Sequence, residues 1–230
     1  MKEVAIIMSV VYVALLAVLL AVTIKDKDRK YYVKVKMLTS SMFIVMACTF
    51  SLMTNDYSKI KPILIAALVA SWCGDLALGL YHKKKRKRYM LIGIGFFILA
   101  QILLILFVYE KNPEIAAVDI IVPILIIPML LILIRGFNLH TGRAKVPVVV
   151  YAFLLTLFVT KAIHVMFDMT TGYAFAVGIG AQMWWFSDYV LLFLYFYHTR
   201  TRGAKYALHA ANLLLYYTAT YLITLSILLE

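Results

Sequence analysis

Two aspartates lie where charge is expensive. The chain has eleven acidic residues. Glu3, Asp26, Asp28, Asp56, Glu110, Glu114 and Glu230 fall at the ends of long apolar stretches or between them, and Asp119 and Asp168 at their edges. Asp75 and Asp188 sit well inside. An ionisable group within a membrane span costs roughly 2.5–3.5 kcal/mol on insertion scales, so it faces the interior of a bundle and is a functional candidate. The local contexts match: Trp72-Cys73-Gly74-Asp75 and Trp185-Phe186-Ser187-Asp188. Each aspartate follows a small residue, and each has a tryptophan three positions earlier, on the same helical face. Two carboxyls sharing a low-dielectric cavity cannot both ionise cheaply. One then serves as an acid and the other as a base or cation stabiliser. The competing reading is structural: each aspartate holds the bundle together through an interhelical hydrogen bond or ion pair.

Other polar residues inside apolar stretches need partners too, because hydrocarbon supplies none. Gln101, Tyr151, Tyr216 and Tyr217 are of this kind. Together with Trp185 they are the expected substrate-contacting residues around Asp75 and Asp188, with ordinary helix packing as the alternative. Lys161 is expected to snorkel to the interface, or else to pair with Asp119 or Asp168. The histidines His82, His140, His164, His198 and His209 form no HxxxH or HExxH pair, so no metal site is expected. Cys48 and Cys73 are expected to be buried small apolar residues, with no disulfide or metal role. Glycines 74, 79, 93, 95, 178 and 180 allow close helix approach or room for a ligand.

The elements that position these residues are membrane spans. Of 230 residues, 64% are hydrophobic and only 15% charged. The apolar stretches are about twenty residues long, enough to cross a ~30 Å hydrocarbon core. Eight helices are expected, at 4–24, 37–53, 61–81, 90–109, 117–134, 146–167, 173–197 and 207–229. The fold class is all-α, a polytopic transmembrane bundle forming a single domain over 1–230. The first stretch reads as a span and not as a cleaved signal peptide.

The loops follow an alternating charge pattern. Lys25, Lys27, Arg29, Lys30, Lys34 and Lys36 follow the first span, and Lys83, Lys84, Lys85, Arg86, Lys87 and Arg88 follow the third. Arg135, Arg143 and Lys145 follow the fifth, and Arg200, Arg202 and Lys205 the seventh. These are eighteen of the 23 basic residues. The positive-inside rule places those loops in the cytoplasm and both termini outside. The net charge of +12 is thus a topology signal with an affinity for anionic lipid headgroups, and no nucleic-acid partner is expected. Asp75 lies six residues from the cytoplasmic end of its span, about 9 Å, and Asp188 nine, about 14 Å. Four spans separate them, which preserves orientation and raises the idea of a parallel four-plus-four duplication.

The blocks carrying these residues resemble the YhhN-like lysoplasmalogenase family. They are Gly74-Asp75-Leu76, Gly93-x-Gly95-Phe96-Phe97-Ile98-Leu99-Ala100, Val146-Pro147-Val148-Val149-Val150-Tyr151, Gly180-Ala181 with Phe186-Ser187-Asp188, and Tyr216-Tyr217-Thr218-Ala219. Their order and spacing cover most of the chain from about 61 onward. The resemblance implies hydrolysis of the vinyl-ether bond of a lysoglycerophospholipid, giving a fatty aldehyde and a glycerophospho-amino-alcohol. It also implies that Asp75 and Asp188 are the essential pair, acting without metal or organic cofactor. Two positions depart from the pattern: Gln101 stands where the family commonly has His, and Thr220 where it has Gln. Gln exchanges no proton near neutral pH.

Two other functional classes fit the same residues. A proton-coupled transporter would use the aspartates as relay groups. Carriers, however, tend to break helices at matching places in two halves, and Pro62, Pro123, Pro128 and Pro147 do not match. A non-catalytic lipid-binding membrane protein would use them to hold a ligand or the bundle. The expected partners are a lysophospholipid substrate and membrane lipids, and the expected location is the cell membrane.

Overall fold

The computed structural model describes residues 2–25, 31–54, 60–84, 86–198 and 201–229. Among them are eight long helices: α1 (Lys2–Lys25), α2 (Tyr32–Met53), α3 (Ile60–Lys84), α4 (Lys87–Lys111), α5 (Ala117–Gly136), α6 (Lys145–Met169), α7 (Gly172–Phe196) and α8 (Arg202–Leu225). All eight are long and apolar enough to span a membrane. No strand occurs among the described residues. Of the loop charges, Asp26, Lys27, Asp28, Arg29, Lys30, Asp56, Lys59, Lys85, Arg200 and Glu230 lie outside the described residues.

Helix neighbours repeat with a period of four. α1 packs on α2 as α5 does on α6; α2 on α3 as α6 on α7; α3 on α4 as α7 on α8. The two closing contacts, α4 with α6 and α8 with α2, correspond as well. α1 also packs on α8, a contact that α5 does not match on α4, so the two halves share most helix neighbours and differ in this one. Glycine permits the tightest contacts. A Cβ at Gly74 would stand 2.8 Å from the Phe97 ring, and one at Gly180 would stand 2.9 Å from Ile223. These are the α3–α4 and α7–α8 seams, where backbones approach because a side chain is missing.

α1 and α5 both lie on the outside of the bundle, α1 against α2 and α8 and α5 against α6. Ile6, Ile7, Val10 and Val13 on α1 are exposed, as are Ile120, Ile124, Leu125, Met129 and Ile132 on α5. In water such apolar surface would aggregate; in a bilayer it meets lipid tails. Cys48 is exposed on α2 and Cys73 is half-buried, so neither is a core residue. Cysteine is small and apolar enough to sit against lipid or protein alike. α1 is pinned by Tyr12, whose hydroxyl donates to the Tyr217 carbonyl oxygen at 2.7 Å and lies 3.0 Å from Thr220 Oγ1. Thr220, the second departure from the family pattern, is therefore part of a helix seam.

Three helix ends differ from expectation in ways that matter for the site. α2 begins at Tyr32 rather than 37, which draws Lys36 out of the loop and into the bundle. α3 runs to Lys84 and α7 stops at Phe196. Asp75 and Asp188 are thus nine and eight residues from their helix ends, about 14 and 12 Å. Their depths agree more closely than the sequence suggested.

Candidate functional site

Asp75 is 1% exposed and fully engaged. Lys36 Nζ, from α2, lies 2.9 Å from Oδ1, with both side chains almost completely buried. Ser40, one turn further along α2, donates to Oδ2 at 2.6 Å, and Tyr216 of α8 donates to the same oxygen at 3.1 Å. Behind them the Tyr217 hydroxyl lies 2.7 Å from Ser40 Oγ and donates to the Lys36 carbonyl oxygen at 3.3 Å. Tyr217 thus orients the residues that hold the carboxylate. Lys36 was expected as a loop cation. The correction has a simple cause: a lysine in the first turns of a helix resembles a topology charge until its helix start is known.

Asp188 is held differently. Tyr151 of α6 donates to its Oδ2, and Gln101 Nε2 of α4 donates to the Tyr151 hydroxyl at 3.4 Å. Gln101 is fully buried, and its Oε1 has no hydrogen-bond partner among the described residues. No Lys, Arg or His among the described residues pairs with Asp188 within salt-bridge distance. The two carboxyls therefore have unequal partners: each accepts from a phenol, Tyr216 on Asp75 and Tyr151 on Asp188, but only Asp75 also has a cation and a serine hydroxyl.

Both aspartates line one small cavity of about 20 Å³, with Tyr32, Lys36, Phe97, His209, Asn212 and Tyr216 also in its wall. By that measure there is space for one water-sized group. Two apolar pockets of about 70 and 50 Å³ also end on Asp188, both lined by Tyr151, Val148 and Leu192. Phe97 separates Tyr151 from Tyr216, with ring centroids 6.4 and 6.1 Å away. Asp188 therefore stands where a polar compartment meets apolar ones. That is the arrangement an amphiphile needs, its reacting polar atoms on one side and its chain on the other.

The tryptophans of the matched motifs serve another purpose. Trp72 donates to Ser41 Oγ on α2 at 3.0 Å, and Trp185 to Thr156 Oγ1 on α6 at 3.4 Å. Each clamps an aspartate-bearing helix to the preceding one. Of the expected substrate contacts, Tyr151 and Tyr216 line the pockets that meet at Asp188, whereas Trp185, Gln101 and Tyr217 line none of the three. Trp185 packs instead on Tyr189 in a tilted arrangement, ring centroids 4.3 Å apart. The neighbouring Trp184 is fully buried and packs edge-on against Tyr216 at 5.2 Å. Position −3 and position −4 share a helical face so closely that spacing could not separate them.

A second polar cluster forms at the opposite end. Lys161 does not snorkel: it is fully buried, donates to Asn112 Oδ1 at 3.1 Å and to the Glu114 carbonyl oxygen, and lies 4.7 Å over the Tyr109 ring. The connection between α4 and α5 folds over the end of α6 and supplies these acceptors. Asp119 and Asp168 instead flank His164, at 3.0 and 2.9 Å from its two ring nitrogens. Among the described residues no group of three or more His, Cys, Asp or Glu could hold a metal ion.

Fold and site together define a polytopic helical membrane protein with paired intramembrane carboxyls. The chain belongs to the YhhN family, whose sequence model matches residues 31–227. No curated protein and no solved structure matches it.

Proposed function

We propose that the chain is a lysoplasmalogenase-like hydrolase of the cell membrane, cleaving the vinyl ether of a lysoglycerophospholipid through Asp75 and Asp188. The observation that carries this reading is the unequal partnering of two carboxyls on one cavity. Vinyl ethers hydrolyse by protonation at the outer vinyl carbon. The oxocarbenium ion so formed takes up water, and the hemiacetal collapses to a fatty aldehyde and the glycerol alcohol. Asp75, with Lys36 beside it, is the standing carboxylate that faces the cation and accepts a proton from the attacking water. Asp188, with no ion-pair partner among the described residues and apolar pockets at its edge, carries the proton given to carbon. Collapse of the hemiacetal passes one proton from its hydroxyl to the leaving glycerol oxygen, and the proton taken by Asp75 returns to Asp188. Water is consumed and both carboxyls are restored. Glycosidases divide labour between two carboxyls around the same kind of cation.

The test uses purified protein and a panel of lysoplasmalogens and ester lysophospholipids, with aldehyde and fatty acid followed separately. Aldehyde release from the vinyl-ether lipids alone is the expected result. Asp188→Asn is the cleaner variant, because no cation among the described residues forms an ion pair with it; aldehyde release should fall about 10²–10⁴-fold while the protein stays folded. No aldehyde from wild type, or an Asp188→Asn protein that loses only stability, would end the enzyme reading.

A further inference from the structure

The largest of the cavities around the site lies beyond the aspartates, at the basic end of the bundle. It measures about 610 Å³ and is walled by Lys87, Arg88, His140, Thr141, Gly142 and Arg143, with Tyr81 and several apolar residues. This volume is in the range of small-ligand sites. Among the described residues no acidic side chain contributes to the wall. The start of α4 at Lys87 borders it, and the Gly142–Ala144 turn that leads into α6 forms another part of its wall. No side chain caps either. A Cβ at Gly142 would meet nothing within 4 Å, so the backbone there is open to a ligand. The His140 amide donates to the Phe196 carbonyl oxygen at 3.0 Å, which fixes this rim to the end of α7. Three cations and an imidazole line one hollow that borders the start of α4, which makes an anion receptor and phosphate its natural guest.

The hollow does not end blindly. Met90, Tyr195 and Phe196 form part of its wall and also part of the apolar pocket that terminates on Asp188. Tyr195 is seven residues from Asp188 along α7, about 10 Å. In a lysophospholipid ether, seven bonds separate the phosphorus from the outer vinyl carbon, a reach of roughly 8–9 Å at ordinary bond lengths. We infer that this basic vestibule is the binding site for the headgroup phosphodiester of a single-chain glycerophospholipid, and that it sets the depth at which the reacting bond meets Asp188. The inference rests on the enzyme reading for the second half only. The phosphate site itself requires no turnover. A soluble phosphate would satisfy the cations but leave the apolar passage unused, so the lipid is the better fit.

Binding is measured on the full chain in maltoside micelles, which carry no phosphate. The probes are an ester lysophosphatidylethanolamine, a monoacylglycerol of the same chain, glycerophosphoethanolamine and inorganic phosphate. The ester lipid lacks the vinyl ether, so binding is read apart from hydrolysis. Wild type should bind the lysophospholipid more tightly than the monoacylglycerol. Arg143→Gln should weaken the lysophospholipid roughly 10–100-fold, the loss of one charge-assisted contact, and leave the monoacylglycerol unchanged. Arg143→Lys should fall between, keeping charge without the bidentate fork. Arg88→Gln gives the same reading if Arg143→Gln does not fold. Equal affinity of wild type for the two lipids, or an equal loss for both in the variants, would leave these cations as topology signals and overturn the site. Inorganic phosphate binding as tightly as the lysophospholipid would make it a soluble-anion site and overturn the lipid assignment. A chain that passes these binding tests but releases no aldehyde keeps the headgroup site and loses the enzyme reading.

Discussion

Lys36→Met tests the internal wiring of the site most sharply. The side chains of Lys36 and Asp75 are 8% and 2% exposed, with Nζ and Oδ1 2.9 Å apart. Methionine keeps the length and bulk of the lysine stem but removes the charge. Asp75 is then an uncompensated carboxylate in a low-dielectric interior. Removing one partner of a buried pair costs about 3–5 kcal/mol, a large part of the stability of an ordinary domain. Asp75→Asn alone strands Lys36 and should cost a similar amount. The double variant removes both charges while the asparagine carbonyl still accepts from Ser40 and Tyr216. It should lie within about 1 kcal/mol of wild type, the typical net worth of a hydrogen bond. The assay is reversible SDS unfolding in mixed micelles for all four proteins, analysed as a double-mutant cycle. Aldehyde release is measured in parallel. The double variant should be stable and inactive. If Lys36→Met unfolds within about 0.5 kcal/mol of wild type, as a surface change would, or if the two single losses simply add, the pair is not the buried neutraliser described here.

Three further outcomes are expected. Tyr151→Phe removes the donor to Asp188; stability should fall by about 0.5–1.5 kcal/mol, while aldehyde release falls by a larger factor. An equal change in both would make Tyr151 a packing residue. Gln101→His places a titratable ring next to the Tyr151 hydroxyl and should raise vinyl-ether hydrolysis, read as initial aldehyde rate; an unchanged rate would detach this position from the chemistry. Both termini should be labelled only from outside the cell, by single-cysteine accessibility at residues 2 and 230, as the loop charges require; labelling from the cytoplasmic side would reverse the assigned orientation.

What the sequence determined by itself was local. Apolar runs of about twenty residues have one stable solution in lipid, so eight helices followed from composition and length. Asp75 and Asp188 stood out because an acid inside such a run is costly wherever the run goes. Even their similar depth was legible, as distance along a helix is a count of residues. The tertiary structure decided what no count could. Lys36 reads as one more loop cation until α2 is seen to begin at Tyr32 and turn it toward Asp75. Lys161 reads as an interfacial lysine until the α4–α5 connection brings Asn112 and Glu114 over it. Trp185 and Trp184 differ by one position, yet one clamps α7 to α6 and the other packs against Tyr216. In each case the deciding partner is on another helix or connection, 25 or more residues away. A side chain's charge state and role depend on what stands within a few ångströms, and in a bundle that neighbour is chosen by how helices pack rather than by the order of the chain.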